Sequence, residues 1–332
     1  MHRYHFESEE HKAIRQELGQ FARANIAPHA LAWEEAGEFP RELYKTAAEV
    51  GFLGTGYDEA VGGSGGDFSH LIVASEALLL GGTSVGTCVG LGSHTIAVPP
   101  ILRFGTPTQV DAFARPVIAG DKIAALAITE PGGGSDVASL RTHAKRDGDH
   151  YVVSGQKTFI TSGCRADFCV TAVRTGGEGH GGISILIIES DTPGFVVSRK
   201  LDKMGWWASD TAEIFFDECR VPVANLLGSE NAGFIPLMTN FVSERLLIAG
   251  QCVAIAELAY QESCRYAKER RAFGKTLMGF QVTRHKLADM MTKLAAARAL
   301  TSVCVEAHLK GECTPASAAM AKNTATDMCL AV

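Results

Sequence analysis

The chain has no basic block and no excess of positive charge: 31 Lys and Arg stand against 37 Asp and Glu, a net charge of −6. It therefore lacks the phosphate-neutralising stripe that nucleic acid demands, and nucleic acid is not an expected partner. No apolar run approaches the roughly 20 residues of a membrane helix, so no membrane span is expected. G-x-x-x-x-G-K-[ST], C-x-x-C and H-E-x-x-H are all absent. P-loop chemistry and the familiar zinc patterns lack support, and the scattered histidines predict no metal. The nine cysteines are odd in number and singly spaced from Cys88 to Cys329, which suits reduced thiols and not a disulfide framework. The first residues carry neither an apolar signal region nor an Arg-rich, acid-poor leader; cytoplasm is the expected location.

What is present is 332 residues, 46% of them apolar, enough for roughly two domains of about 150 residues with real cores. Ile14, Leu18, Phe21 and Ile26 recur at near-helical spacing after Ser8, a ready N-cap. Pro40 before and Gly51 after Leu43, Ala47 and Val50 bracket a second helix. Residues 67–80, 83–94 and 106–118 also read as helical. After Gly120 the pattern changes to short β-type runs at 122–129, 140–146, 151–154, 168–175, 183–189, 195–199 and 212–216. Asp147-Gly148 marks a hairpin between two of them. Such closely spaced strands, with no helices between, predict an antiparallel sandwich or barrel. Helical periodicity returns from Asn231, and residues 281–310 contain no Pro or Gly and carry Leu287, Met290, Leu294 and Ala297 on one stripe. The expected class is α+β: an all-α domain over 1–120, a β domain over 121–230 and a helical bundle over 231–332.

Gly177-Glu178-Gly179-His180-Gly181-Gly182 has the spacing of a dinucleotide fingerprint but runs into the strand-like Ile183–Ile188. A dinucleotide site needs a helix there, so a hairpin loop is expected. Two stretches are richer: Leu126–Asp136, which holds Thr129, three glycines and Ser135, and Gly155–Gly163, which holds Phe159 and Thr161. Glycines beside Ser135 let backbone N–H groups meet an anion or a flat ring, and Phe159 beside Thr161 offers a stacking face and a hydroxyl. The same residues also suit ordinary turns after two strands.

These two stretches, with Arg270-Arg271-Ala272-Phe273-Gly274-Lys275, resemble the acyl-CoA dehydrogenase family in order and spacing. Lys203-Met204-Gly205, residues 210–216 and Ser243-Glu244-Arg245 with the apolar run to Ala249 resemble its long-chain and isovaleryl branch. The resemblance covers essentially the whole chain. It implies the same α, β, α order and an FAD flavoprotein of fatty acid β-oxidation. Such an enzyme removes the α-proton of an acyl-CoA with a carboxylate while the β-hydrogen leaves as hydride, giving a trans-2-enoyl-CoA, and passes electrons to an electron-transfer flavoprotein. By matching position, Leu126, Ile128, Thr129, Gly134 and Ser135 are implied to hold the pyrimidine side and phosphates of FAD. Phe159, where the family more often has Trp, Ile160 and Thr161 are implied to lie beside its ring. Arg270, Phe273 and Gln281 match positions that reach FAD from the neighbouring subunit, which implies a homotetramer, a dimer of dimers, with the Phe273 ring expected as a buried interface anchor. Ser135, Val242, Ser243 and Arg245 match the acyl-CoA site.

Most family members carry the base after a Q-x-x-G-G motif, and the chain reaches Val332 before one; a truncated C-terminal domain is therefore expected. The long-chain and isovaleryl branch places the base where Glu244 stands. Desolvation beside Leu246, Leu247, Ile248 and Ala249 would raise the pKa of Glu244, whereas a nearby Arg245 would lower it. A solvated surface carboxylate is the alternative for Glu244. An acyl-CoA oxidase, a flavin monooxygenase on the same fold, or a catalytically silent truncated chain are the alternatives for the protein.

Overall fold

The computed structural model describes residues 4–332. The chain forms two compact units that cut across the chain order. One takes the chain up to Pro28, Gly66–Val85 and Val242–Val332; the other takes His29–Gly65 and Gly86–Phe241.

The helical unit contains α1 (Glu9–Asn25), α4 (Phe68–Gly82), α10 (Gln281–Leu309), α11 (Pro315–Ala331) and, from Val242, α9 (Phe234–Glu269). Ser8 caps α1 and Asp67 caps α4. The two helices pack tightly because Gly81 carries no side chain: a Cβ there would lie 2.7 Å from the Gly19 carbonyl oxygen. Along α9, Leu246, Ala249, Val253 and Ala256 form a stripe that meets Leu294, Ala297 and Cys304 of α10 and Ala318, Ala321, Ala325 and Met328 of α11. Three- and four-residue spacings put each set on one face, and the alanines let the helix axes come close.

The other unit contains α2 (Ala30–Ala36), α3 (Glu42–Glu49), most of α5 (Val85–Leu91), α6 (His94–Phe104), α7 (Pro107–Gln109), a π-helical turn (Val110–Ala114) and α8 (Arg115–Ile118). Its sheet comprises β1 (Ala124–Ala127), β2 (His143–Asp147), β3 (His150–Thr161), β4 (Phe168–Arg174), β5 (Ile183–Glu189), β6 (Phe195–Lys200), β7 (Thr211–Pro222) and β8 (Leu226–Leu227). The order is β6-β7-β3-β2-β4-β5-β8, with β1 on β4. The expected antiparallel pairing holds except that β1 and β2 both run parallel to β4. Alternation explains why β4 and β5 read as unbroken apolar runs. Phe168, Val170, Ala172, Ile183, Ile185 and Ile187 face α6 and Phe113, whereas Cys169, Val173, Leu186 and Ile188 face Tyr151, Ile214 and Phe216, so both faces are buried. β2 and β3 join through the expected hairpin at Gly148, whose φ is +63°. The 177–182 glycine loop joins β4 to β5, as a hairpin loop should.

One expectation from composition is corrected. Val85–Phe104 is long and apolar enough to cross a membrane, although 61% of its most apolar window is buried inside the protein. The stretch breaks at Gly92-Ser93 between α5 and α6, and Ala97, Val98 and Ile101 pack against the sheet. All nine cysteines are free thiols; Cys88, Cys169, Cys219 and Cys304 are buried and Cys164 is exposed.

Candidate functional site

Two strand ends carry the first group of candidate residues. β1 delivers Leu126 and then Ile128 and Thr129, and the end of β3 delivers Phe159, Ile160 and Thr161. The Thr158 N–H donates to the Thr129 carbonyl at 2.9 Å, so the two segments are bonded directly. Regular pairing of β3 with β7 holds at Lys157↔Ile214, breaks at a bulge, and resumes at Ile160↔Ala212. Inside the bulge Phe159 has φ +59° and is 66% exposed. A bulge re-aims a side chain out of the alternation, and an aromatic residue in the left-handed region stores strain of the kind that marks working sites.

Beyond Thr129 the chain turns sharply: Glu130 and Gly133 exchange N–H···O bonds of 3.1 and 3.0 Å. The three glycines play different parts. A Cβ on Gly134 would sit 3.0 Å from the Thr129 methyl, while Gly132 and Gly133 face open space. Ser135 follows, exposed. The turn therefore presents a backbone without side chains, the kind of surface that an anionic group can approach. Beside it opens a cleft of about 540 Å³ whose walls include Glu130, Gly133, Arg141, Gln156 and Phe215.

Beneath this surface lies a pair that the sequence shows within both stretches but that carries no obvious role there. The Lys157 ammonium is fully buried and donates to the Ile128 carbonyl and to Glu130 Oε1, both at 2.9 Å. Glu130 also accepts the N–H groups of Arg141 at 2.6 Å and Thr142 at 2.8 Å. Burial pushes the Lys157 pKa down to about 8 against the pull of Glu130. Burial works to raise the Glu130 pKa, but Lys157 and the hydrogen bonds outweigh it and hold the carboxyl below its usual range. The legible signal was that Lys157 is the one charged side chain in the run Tyr151–Thr161.

The other candidates belong to the helical unit. Val242, Ser243, Glu244 and Arg245 follow one another on α9, all half-buried. Leu246, Leu247 and Ala249 are buried as expected, but Ile248 is 41% exposed, because a helix turns one residue of any four-residue run outward. Arg270 directly follows α9, and a two-stranded hairpin comes next: β9 (Arg271–Ala272) and β10 (Lys275–Thr276). Its tip, Phe273-Gly274, has φ +51° and +81°, the mark of a type I′ turn. Phe273 is 95% exposed at that tip. Gln281 opens α10, also exposed.

Among the described residues one histidine and carboxylate group, His11, Asp67 and His70, brings ligand-type atoms within 4.8 Å of one another. Each ring already serves its own helix: His11 Nδ1 accepts the Ser8 N–H at 3.1 Å and His70 Nδ1 the Asp67 N–H at 3.0 Å.

Comparison with known proteins then decides the family. Domain models described as acyl-CoA dehydrogenase N-terminal, middle and C-terminal domain match residues 8–121, 125–219 and 231–332. The chain belongs to the acyl-CoA dehydrogenase family. The mitochondrial long-chain specific acyl-CoA dehydrogenase of Mus musculus is 38% identical over 327 residues, 97% of this chain and 75% of that protein. The solved structure of a probable acyl CoA dehydrogenase from Mycobacterium abscessus is similar at 49% identity and a TM-score of 0.96, covering 98% of this chain and 86% of that one. A glutaryl-CoA dehydrogenase from Mycobacterium smegmatis, solved in complex with FADH2, matches at 26% identity and a TM-score of 0.91 over 98% of this chain and 82% of that one. As a family member the chain is an FAD-dependent oxidoreductase of acyl-CoA dehydrogenation. The expected truncation of the C-terminal domain gains no support from the domain match at 231–332.

Proposed function

We propose that this acyl-CoA dehydrogenase converts a saturated acyl-CoA thioester to its trans-2-enoyl-CoA with Glu244 as the base. The observation that carries the reading is the pairing of an open glycine turn with a strained, exposed aromatic residue at the bonded ends of β1 and β3. These residues fit FAD chemically. Leu126 and Ile128 offer an apolar edge, Thr129 and Thr161 hydroxyls, Phe159 a ring face, Ile160 a fixed backbone, and Gly132–Ser135 a bare turn suited to a diphosphate. When bound, FAD supplies the hydride acceptor.

Glu244 then takes the α-proton. It sits half-buried ahead of buried Leu246 and Leu247, and a carboxylate that loses water to an incoming acyl chain becomes a stronger base. Ser135, Val242, Ser243 and Arg245 line the acyl-CoA in this reading. Arg270, Phe273 and Gln281 serve FAD of a neighbouring subunit in a homotetramer; an aromatic ring almost wholly exposed at a hairpin tip supports an intermolecular role. The electrons pass to an electron-transfer flavoprotein, the enzyme works in the cytoplasm, and the divisions at 120 and 230 separate its three domains.

The test is anaerobic mixing of the FAD-supplemented protein with saturated acyl-CoA esters of increasing length while flavin absorbance is followed. Bleaching is expected, and the ester that bleaches fastest defines the chain-length class. Glu244→Gln should slow bleaching about 10²- to 10⁴-fold with FAD uptake retained. An unchanged rate in that variant rules Glu244 out as the base.

A further inference from the structure

We propose that Lys157 is a positioning residue of the flavin site: its buried ammonium clamps the end of β1 to the bulge of β3 and so sets the register in which Thr129 and Phe159 are presented. The inference rests on the flavin reading above and adds a residue that touches no ligand.

The geometry runs through one nitrogen atom. Lys157 is the last β3 residue in regular register with β7 before the bulge that carries Phe159. Its Nζ reaches across to the Ile128 carbonyl and to Glu130 Oε1, each at 2.9 Å, on either side of Thr129 in sequence. Thr129 in turn receives the N–H of Thr158, the residue between Lys157 and Phe159. Two residues of one segment are thus tied to three consecutive residues of the other. Glu130 extends the clamp to the start of β2 by accepting the N–H groups of Arg141 and Thr142, and its own N–H and carbonyl close the turn with Gly133.

A fully buried ammonium is costly and is tolerated when it is paired and hydrogen-bonded. Packing alone would be served as well by an apolar side chain. Only a long cationic donor meets a carbonyl and a carboxylate at once, and so opposes the tendency of the left-handed Phe159 backbone to relax.

The clamp also makes the site sensitive to alkaline pH. Burial holds the Lys157 pKa down to about 8, so the ammonium is lost as pH rises through that value, and the charge-assisted bonds to Ile128 and Glu130 weaken. Glu130 is the charged group in contact. On the neighbouring elements, Arg141, His143 and Asp217 have exposed side chains, and half-buried Glu213 pairs with Arg199.

The experiment compares the 332-residue apo-protein with its Lys157→Met, Lys157→Arg and Glu130→Gln variants. FAD affinity is read by flavin fluorescence at pH 7 and pH 9, and amide exchange is followed over residues 157–162 without flavin. Lys157→Met should weaken FAD binding at least tenfold and speed exchange, and Lys157→Arg should restore both to within about threefold. Wild-type affinity should fall several-fold between the two pH values while that of Lys157→Arg stays level. If Lys157→Met does not fold, Glu130→Gln carries the test, with weakened FAD binding and faster exchange expected. Affinity and exchange close to wild type in the methionine variant, or a wild type whose affinity is flat with pH, overturn the proposal. A wild type that takes up no FAD, yet whose exchange speeds in Lys157→Met, would sink the flavin reading and leave the clamp standing.

Discussion

At the scale of single residues, conformation and reactivity depart from what residue type suggests. Phe159 keeps a positive φ and a largely exposed ring, so its backbone costs the fold and its side chain returns little. Glycine there removes about 1–2 kcal/mol of strain and loses about 0.5–1 kcal/mol of chain entropy. Phe159→Gly should therefore leave apo-protein stability in chemical denaturation equal or slightly raised while weakening FAD binding; a clear loss of stability would show that the ring packs. The thiols behave comparably. Cys164 is the exposed one, yet burial and Asp210 push its pKa up to about 11. Cys329 is drawn down to about 7 by its hydrogen bond with Cys252, whose own pKa rises. Thiolate is the reactive form, so iodoacetamide at pH 7.5 should modify Cys329 before Cys164 in a peptide mass time course, and Cys252→Ala should slow Cys329.

At the scale of elements, the caps of α1 and α4 are linked. His11 and His70 each sit three residues past their N-caps, their rings stack at 4.1 Å, and His11 Nε2 meets Ser69 Oγ at 2.8 Å. Burial and then His70 lower the His11 pKa, against Asp67, Glu7 and Glu10. In α6, burial lowers His94 to about 4. A histidine with a depressed folded pKa binds its proton more readily when unfolded, so its stabilising contribution is complete above about pH 6.5 and is lost as pH falls. For His94 the loss between pH 6.5 and 4 is about 3 kcal/mol at most. His94→Gln should flatten the fall in urea-unfolding stability across that interval; an unchanged slope would remove His94 as its source. Helix α6 also shows where local reading fails. Pro99 and Pro100 lie inside it, and the burial of Ala97, Val98 and Ile101 against the sheet carries a helix that propensity opposes. The short α2 lacked a pattern long enough to read, whereas α1, α3, α4 and α10 were legible from caps and period.

At the scale of the whole molecule, charge buried in the helical unit holds four helices. Glu76 of α4 receives Arg15 of α1 at 2.7 Å and faces Arg298 of α10 at 3.7 Å, and Arg298 also pairs with Glu257 of α9. Removing one partner strands the others, at a cost of about 3–5 kcal/mol. Glu76→Ala should lose that much stability in chemical denaturation, whereas a loss below about 1 kcal/mol would mean that water replaces the carboxylate. Pattern and motif, read from the sequence alone, determined the α, β, α succession, the places of the strands from β1 to β7 but only the first part of β3 and of β7, and the family to which the site belongs, because caps, alternation and motif spacing are local. Only tertiary structure decided that α1 and α4 group with the C-terminal helices while α2, α3 and α6 group with the sheet. It alone decided that Phe159 turns outward, that Phe273 stands exposed, and that Lys157 is buried on Glu130. An amphipathic face specifies that it will be covered and leaves open by what; a lysine in a strand shows its charge, and only the neighbours that fold against it fix what that charge holds.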